Sequence, residues 1–296
     1  MMSLILRAYA KINLTLEVLF KRDDGYHEIA SVLQTISMGD TLTFEASDRL
    51  EPQSDIPDLR PDDNLVLQAA RLLSESTGCI KGARISLIKE IPVAAGLGSG
   101  ATDAAATLNG LNQLWELNLS TQRLVELAAN LGSDVAFFLY GGTALARGRG
   151  ETVTPLPPAP ELWMVLLRPD IEPGPGKTAQ LYSQLHAQNF TSGQFTQRLV
   201  DHLHEGGGIS TSLLFNVFEQ VAFTYFPGLS DYRTRFVGAG ADSVHLAGAG
   251  PTLYTLVPGE AQGKTIVNNL AADELDAYLV HTVGASPSDA AHNKQC

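Results

Sequence analysis

From Leu4 to Val18 every even-numbered residue is apolar: Leu4, Leu6, Ala8, Ala10, Ile12, Leu14, Leu16 and Val18. The odd positions include Arg7, Tyr9, Lys11, Asn13, Thr15 and Glu17. Side chains of a strand alternate between its faces, so this pattern specifies a long strand with one buried face, or two strands joined by a bulge. Lys11 and Asn13 must then leave the strand from the same side.

The segment Lys21-Arg22-Asp23-Asp24-Gly25 is a turn, with Asp-Gly as the hairpin signal. Strands are expected at 29–36, 41–45 and 84–88, and the polar, proline-punctuated stretch 47–62 as loop. Asp63 is expected to cap a helix reaching about Ser76, whose Leu65, Ala69, Leu72 and Leu73 recur at helical spacing. Further helices are expected near 101–115, from Ser120 to the Leu131-Gly132 stop, and at 134–140 with Ser133 as its cap. Strands at 143–147 and 151–154 precede Leu156-Pro157-Pro158-Ala159-Pro160, the best boundary between two halves. The second half suggests strands at 162–167, 243–246, 252–256 and 277–282. Its helices are expected near 177–186, 192–204, 213–225, 229–238 and 260–272. Mixed elements that do not strictly alternate indicate an α+β fold in two domains, 1–157 and 158–284, with a disordered tail at 285–296.

With 44% hydrophobic and 18% charged residues, the 296-residue chain has the composition of a globular protein. A formal net charge of −12 argues against a nucleic-acid partner, which would need clustered Lys and Arg. An anionic small substrate remains compatible, because the local field at a site decides that. Two cysteines, Cys79 and Cys296, and the lack of a secretory signal or long apolar span point to a cytoplasmic protein away from the membrane. The histidines show no ligand spacing, so no dedicated metal site is expected.

The run Ile91-Pro92-Val93-Ala94-Ala95-Gly96-Leu97-Gly98-Ser99-Gly100-Ala101-Thr102-Asp103-Ala104-Ala105 sets glycines between a strand and an alanine-rich helix start. Glycine admits positive φ and close approach of a ligand, and a helix start offers unpaired N–H groups. Together they predict a phosphate cradle built from backbone. Gly96 to Ala101 also satisfies the dinucleotide fingerprint G-x-G-x-x-[GA]. That motif should follow its strand directly and open its domain, whereas Lys89-Glu90-Ile91-Pro92 intervenes here. Gly176-Lys177-Thr178 looks like the end of a Walker A loop, but Ile171 stands where its first glycine should be.

Phosphoryl transfer from ATP needs such a loop, a cation near the transferred group and a carboxylate for the attacking hydroxyl. Lys11 and Asp134 are the candidates. Taken alone, a lysine on the polar face of a strand reads as a solvated charge, and an aspartate at a helix start as a complement to the helix dipole.

Three segments in order resemble the GHMP kinase superfamily: Ala8-Tyr9-Ala10-Lys11-Ile12-Asn13-Leu14, Pro92 through Thr102, and Gly248-Ala249-Gly250-Pro251-Thr252. The resemblance implies an S5-like N-terminal domain, a ferredoxin-like C-terminal domain and a site in the cleft between them. It implies Lys11 and Asp134 as the catalytic pair, and Asn13 as a substrate-positioning residue. Residues Pro92 to Thr102 would wrap the phosphates of ATP, bound with Mg2+, and Gly248–Gly250 would support that loop. The segments Arg22 to Ile29, Ser31 to Ile36, Leu131 to Phe138 and Asn216 to Glu219 resemble a branch whose acceptor is a cytidine-diphosphate-linked methylerythritol. In that branch Tyr26 and His27 would read the cytosine, Tyr182 would cover it, and Thr178 would join the substrate contacts. A monomer or homodimer is expected. The alternatives are a GHMP kinase for another alcohol, of the mevalonate or homoserine type, and a catalytically silent binding protein of the same fold. Ala101 and Asp103 stand where the resemblance leads one to expect Ser and Asn, and Asp103 is expected to bring negative charge near bound phosphates.

Overall fold

A computed structural model describes residues 3–54 and 64–285 of the chain. The alternating segment is one strand, β1 (Ser3–Lys21), paired antiparallel with β2 (His27–Ser47) around the turn at Gly25. Its register slips between Tyr9 and Lys11, between Asn13 and Thr15, and between Val18 and Phe20, so the strand is bulged. β2 runs unbroken through both shorter strands expected there.

The first half continues with β3 (Leu50–Ser54), α1 (Leu65–Thr77), β4 (Gly82–Ile88), α2 (Ser99–Leu114), α3 (Thr121–Ala128), α4 (Val135–Tyr140), β5 (Thr143–Gly148) and β6 (Thr152–Pro155). β3 replaces the first part of the expected loop, because it finds a parallel partner in β4 that local polarity does not reveal. Asn64 caps α1, its Oδ1 accepting from Val66 N at 3.0 Å and Leu67 N at 3.2 Å. Asp63, expected in that role, lies outside the described residues.

The second half comprises β7 (Trp163–Arg168), α5 (Lys177–Ser183), α6 (Gln194–His204), β8 (Phe215–Asn216), α7 (Glu219–Tyr225), α8 (Leu229–Gly238), β9 (His245–Leu246), β10 (Leu253–Val257), α9 (Glu260–Ala272) and β11 (Asp276–His281). It builds a second sheet in the order β11-β7-β10-β9, antiparallel throughout. The helix expected over 213–225 starts only at Glu219. The residues before it form β8, which joins β1 in parallel at the edge of the first sheet. The expected tail, beyond Ala285, lies outside the described residues.

The first sheet packs Leu42, Phe44, Ile85 and Leu87 against α1 and α2. A second cluster joins Ala10, Ile12 and Leu14 of β1 to Leu97, to Met164 and Leu166 of β7, and to Leu199 and Tyr254. The two halves therefore share a continuous apolar contact, and the far part of β1 is buried on both faces. Lys11 is 5% exposed, which overturns its reading as a solvated charge.

Candidate active site

Lys11 lies where three segments converge. Its backbone N–H donates to Leu97 O at 3.0 Å, tying β1 to the glycine run. Its ammonium donates to Asn13 Oδ1 at 2.8 Å and stands 3.6 Å from Asp134 Oδ2. Asn13 in turn donates to Ser31 Oγ at 2.7 Å, and Ser31 donates to Thr15 O at 2.6 Å. This chain of buried bonds fixes the rotamers of the polar face before any ligand arrives.

Asp134 immediately precedes α4, yet its carboxylate makes no capping bond, and neither does Ser133. The expected serine cap is absent because Asp134, not Ser133, occupies the position before the first helical residue. The Asp134 side chain is 42% exposed and faces Lys11, so it can meet a ligand.

The glycine run forms a loop ahead of α2 with φ of 89° at Gly96 and 79° at Gly98. A Cβ at Gly96 would sit 2.1 Å from Ala247 O, and one at Gly98 would strike the Phe138 ring. Only glycine allows these approaches. Gly98 offers no capping side chain to α2, which leaves the first-turn N–H groups of Ser99, Gly100 and Ala101 directed at the loop. The residues from Pro92 to Gly98 form the loop itself, with Val93 and Ala94 exposed and Ala95 and Leu97 buried beneath it. Ser99 to Thr102 are the first turn of α2.

The second glycine segment backs the first. Gly248 lies so close that an added Cβ would be 2.7 Å from Gly96 O and 3.0 Å from Lys11 Nζ. Asn216 Nδ2 holds the segment, donating to Leu246 O and Gly248 O at 2.8 Å each. Lys177, the first residue of α5, donates from a buried ammonium to Ala94 O at 2.8 Å and also to Gly250 O. Burial, and secondarily the charge of Lys11, lowers its pKa to about 8.

Asp103 departs from expectation. Instead of adding charge to the loop it is buried, with Oδ2 2.7 Å from Lys89 Nζ. Lys89 also bonds Asp40 Oδ2 and, at 2.6 Å, Ser99 Oγ. Two carboxylates thus share one ammonium under the start of α2. Burial raises the Asp103 pKa to about 7 against the pull of Lys89, and the Asp40 charge adds to the rise.

Beside the acid lies an aromatic cluster. His27 stacks on Tyr182 at 4.9 Å between centroids, and Tyr182 meets Phe218 edge-on. His27 and Tyr182 touch face to face, so each ring holds the other in place. The His27 pKa is lowered, first by burial and then by Lys21. The Tyr182 phenol is raised by burial, and next by the negative charge of Asp134, which places this cluster beside the catalytic candidate. Tyr26 is exposed, with the Arg149 guanidinium 4.8 Å from its ring centroid. Thr178 stands exposed in the first turn of α5.

The structure therefore unites Lys11, Asn13, Asp134, the glycine run, His27 and Tyr182 around one region. Sequence reasoning gave Lys177 and Arg149 no part in it and marked Asn216 only as one of the segments that carry the resemblance. The Gly-Lys-Thr string marked Lys177 for the wrong reason, and no spacing signal links Arg149 to Tyr26.

A buried strand lysine, a partly exposed carboxylate and two interlocked glycine segments are the parts that phosphoryl transfer requires. Residues 64–142 match the family described as GHMP kinases N terminal domain. The chain is 48% identical over 281 residues to a 4-diphosphocytidyl-2-C-methyl-D-erythritol kinase of Dehalococcoides mccartyi, covering 95% of this chain and 99% of that protein. It is 40% identical to the same-named kinase of Geobacillus kaustophilus, over 96% and 98% of the two chains. The chain belongs to the 4-diphosphocytidyl-2-C-methyl-D-erythritol kinase family. A crystal structure of 4-(cytidine 5'-diphospho)-2C-methyl-D-erythritol kinase superposes with a TM-score of 0.80 at 32% identity, covering 95% of this chain and all of that one. A homoserine kinase of Cytophaga hutchinsonii shares the fold at 20% identity, with a TM-score of 0.72 over 96% of this chain and 95% of that one.

Proposed function

We propose that this chain transfers the γ-phosphoryl group of ATP to the 2-hydroxyl of 4-diphosphocytidyl-2-C-methyl-D-erythritol, in the non-mevalonate route to isoprenoid precursors. The observation that carries the reading is the Lys11–Asp134 pair, 3.6 Å apart, with the Lys11 stem packed against the phosphate loop at Gly98. Asp134 orients the acceptor hydroxyl and takes its proton as the oxygen bonds to the γ-phosphorus. The bond from that phosphorus to the bridging oxygen breaks and ADP leaves. Lys11 stabilises the charge on the transferred group, and Asn13 positions the acceptor.

Residues Pro92 to Thr102 hold the nucleotide phosphates chiefly through backbone N–H groups of the loop and of the first turn of α2. Ser99 Oγ is engaged by Lys89, which supports a backbone-led cradle. Mg2+ enters with ATP. Among the described residues no group of three His, Cys, Asp or Glu side chains is placed to hold a metal. The nucleotide phosphates would supply most of its ligands, as is usual for Mg2+ bound with ATP.

Tyr26 and His27 recognise the cytosine. A neutral imidazole has one donor and one acceptor, which suits the mixed polar edge of this base, and burial favours the neutral form. Tyr182 holds the ring in place, and Thr178 lies at the rim.

The test is ADP release measured in parallel with the cytidine compound, mevalonate and homoserine as acceptors. Turnover is expected with the cytidine compound alone. Preference for either other alcohol overturns the acceptor assignment, and ATP binding without turnover on any acceptor overturns the catalytic one.

A further inference from the structure

Lys177 has features that a simple structural contact does not require. Its side chain is buried at the head of α5, and two of its N–H donors go to backbone carbonyls, Ala94 O of the first glycine segment and Gly250 O of the second. An ammonium carries three donors, so one is left over. No carboxylate pairs with it among the described residues. A buried charge without a counter-ion is costly, and the cost is higher beside a second cation. Lys11 is that cation, close enough for its charge to weigh on Lys177. The other segments packed against the ammonium, residues 91–98 and 247–252, carry no titratable side chain. On α5 itself the titratable neighbour is Tyr182, whose pKa burial raises. Asp134 answers Lys11 at 3.6 Å. The site thus holds one more positive charge than its own carboxylate neutralises.

We propose that Lys177 is a positioning residue of the phosphoryl-transfer site: its ammonium pins the two glycine segments together and, with Lys11, forms a two-lysine seat for the nucleotide phosphates. The proposal rests on the reading above that these segments bind ATP. The carbonyl of Ala94 belongs to a residue at φ 56°, an uncommon conformation for a non-glycine residue. The bond from Lys177 to that carbonyl holds it in place. An arriving phosphate supplies the missing anion and draws a proton onto Lys177, whose pKa in the free protein is about 8.

The experiment compares the full chain with Lys177→Met, Lys177→Gln and Lys177→Arg. Thermal melting reports folding, steady-state kinetics give kcat and KM for ATP and acceptor separately, and calorimetry with Mg·ATP at pH 8 in buffers of different ionisation enthalpy counts protons. Lys177→Met is expected to raise KM for ATP about tenfold, to leave KM for the acceptor nearly unchanged, and to abolish proton uptake on ATP binding. Lys177→Gln keeps a donor without the charge and should show the same loss of proton uptake, so it carries the test if Lys177→Met does not fold. Lys177→Arg should recover most of the ATP affinity.

Unchanged ATP affinity and proton uptake in the folded Met or Gln variant overturn the proposal. So do equal losses for ATP and acceptor that follow a lowered melting temperature. A wild-type chain that binds no ATP overturns the nucleotide reading itself, and with it the seat.

Discussion

The two ends of β1 have the same alternating pattern and opposite fates. At the start, Ile5 is 62% exposed and Arg7 makes only surface contacts, to Thr41 and Glu90. Beyond Ala10 the odd residues Lys11, Asn13, Thr15 and Glu17 are all buried, and each has an interior partner. Lys11 and Asn13 face the candidate active site. Thr15 Oγ1 accepts from Val32 N and Thr196 Oγ1, both at 3.0 Å. Glu17 accepts from Phe195 N at 3.3 Å and Thr196 N at 2.6 Å, so it caps α6 from across the fold. The difference shows that a polar strand face is a solvent face only if nothing from the rest of the chain needs it.

Four substitutions would break or sharpen this contrast. Lys11→Met should have the largest effect, lowering kcat at least about a hundredfold while the thermal melt stays cooperative. Near-normal turnover in that variant would return Lys11 to a merely structural place. Glu17→Ala strips the start of α6 of a buried charged acceptor and should cost about 2–3 kcal/mol in urea unfolding. A loss below about 1 kcal/mol would mean that water replaces the cap.

Asp103→Asn probes the changeover point, because Asp40, which shares Lys89 with Asp103, pairs with Ala8 across the sheet. A carboxyl whose folded pKa is raised to about 7 keeps its proton when the unfolded chain has already lost it. Its contribution to stability is therefore fully present below about pH 4 and is lost as pH rises to about 7. Unfolding measured across that window should show a smaller decline with rising pH in the variant than in the wild type. Identical slopes would show that Lys89 keeps Asp103 ionised. Arg7→Ala should have the smallest effect, within about 1 kcal/mol, because its partner Glu90 is half exposed.

Much of the candidate site was legible before folding. The common face of Lys11 and Asn13 follows from period two, and the phosphate loop follows from glycines set between strand and helix. The three GHMP segments placed both in one enzyme class. What was not legible depends on partners far along the chain. Glycine 96 is required by Ala247 O, Lys177 is held by Ala94 and Gly250, and Asp103 turns from the loop because Lys89 and Asp40 lie beneath it. β3 and β8 are similar cases, since each exists only through a neighbour strand that local sequence does not name.

By itself, then, the sequence determined the strand, its two faces, the loop and the chemical types in the site. These are local properties, set by backbone geometry within a few residues. Only the tertiary structure decided which polar face would be covered, which carboxylate would stay open to a ligand beside Lys11, and that Lys177 has no counter-ion among the described residues. Burial and electrostatic pairing are properties of neighbours in space, and those that cover the far part of β1 include Thr196 and Tyr254 from the far half of the chain.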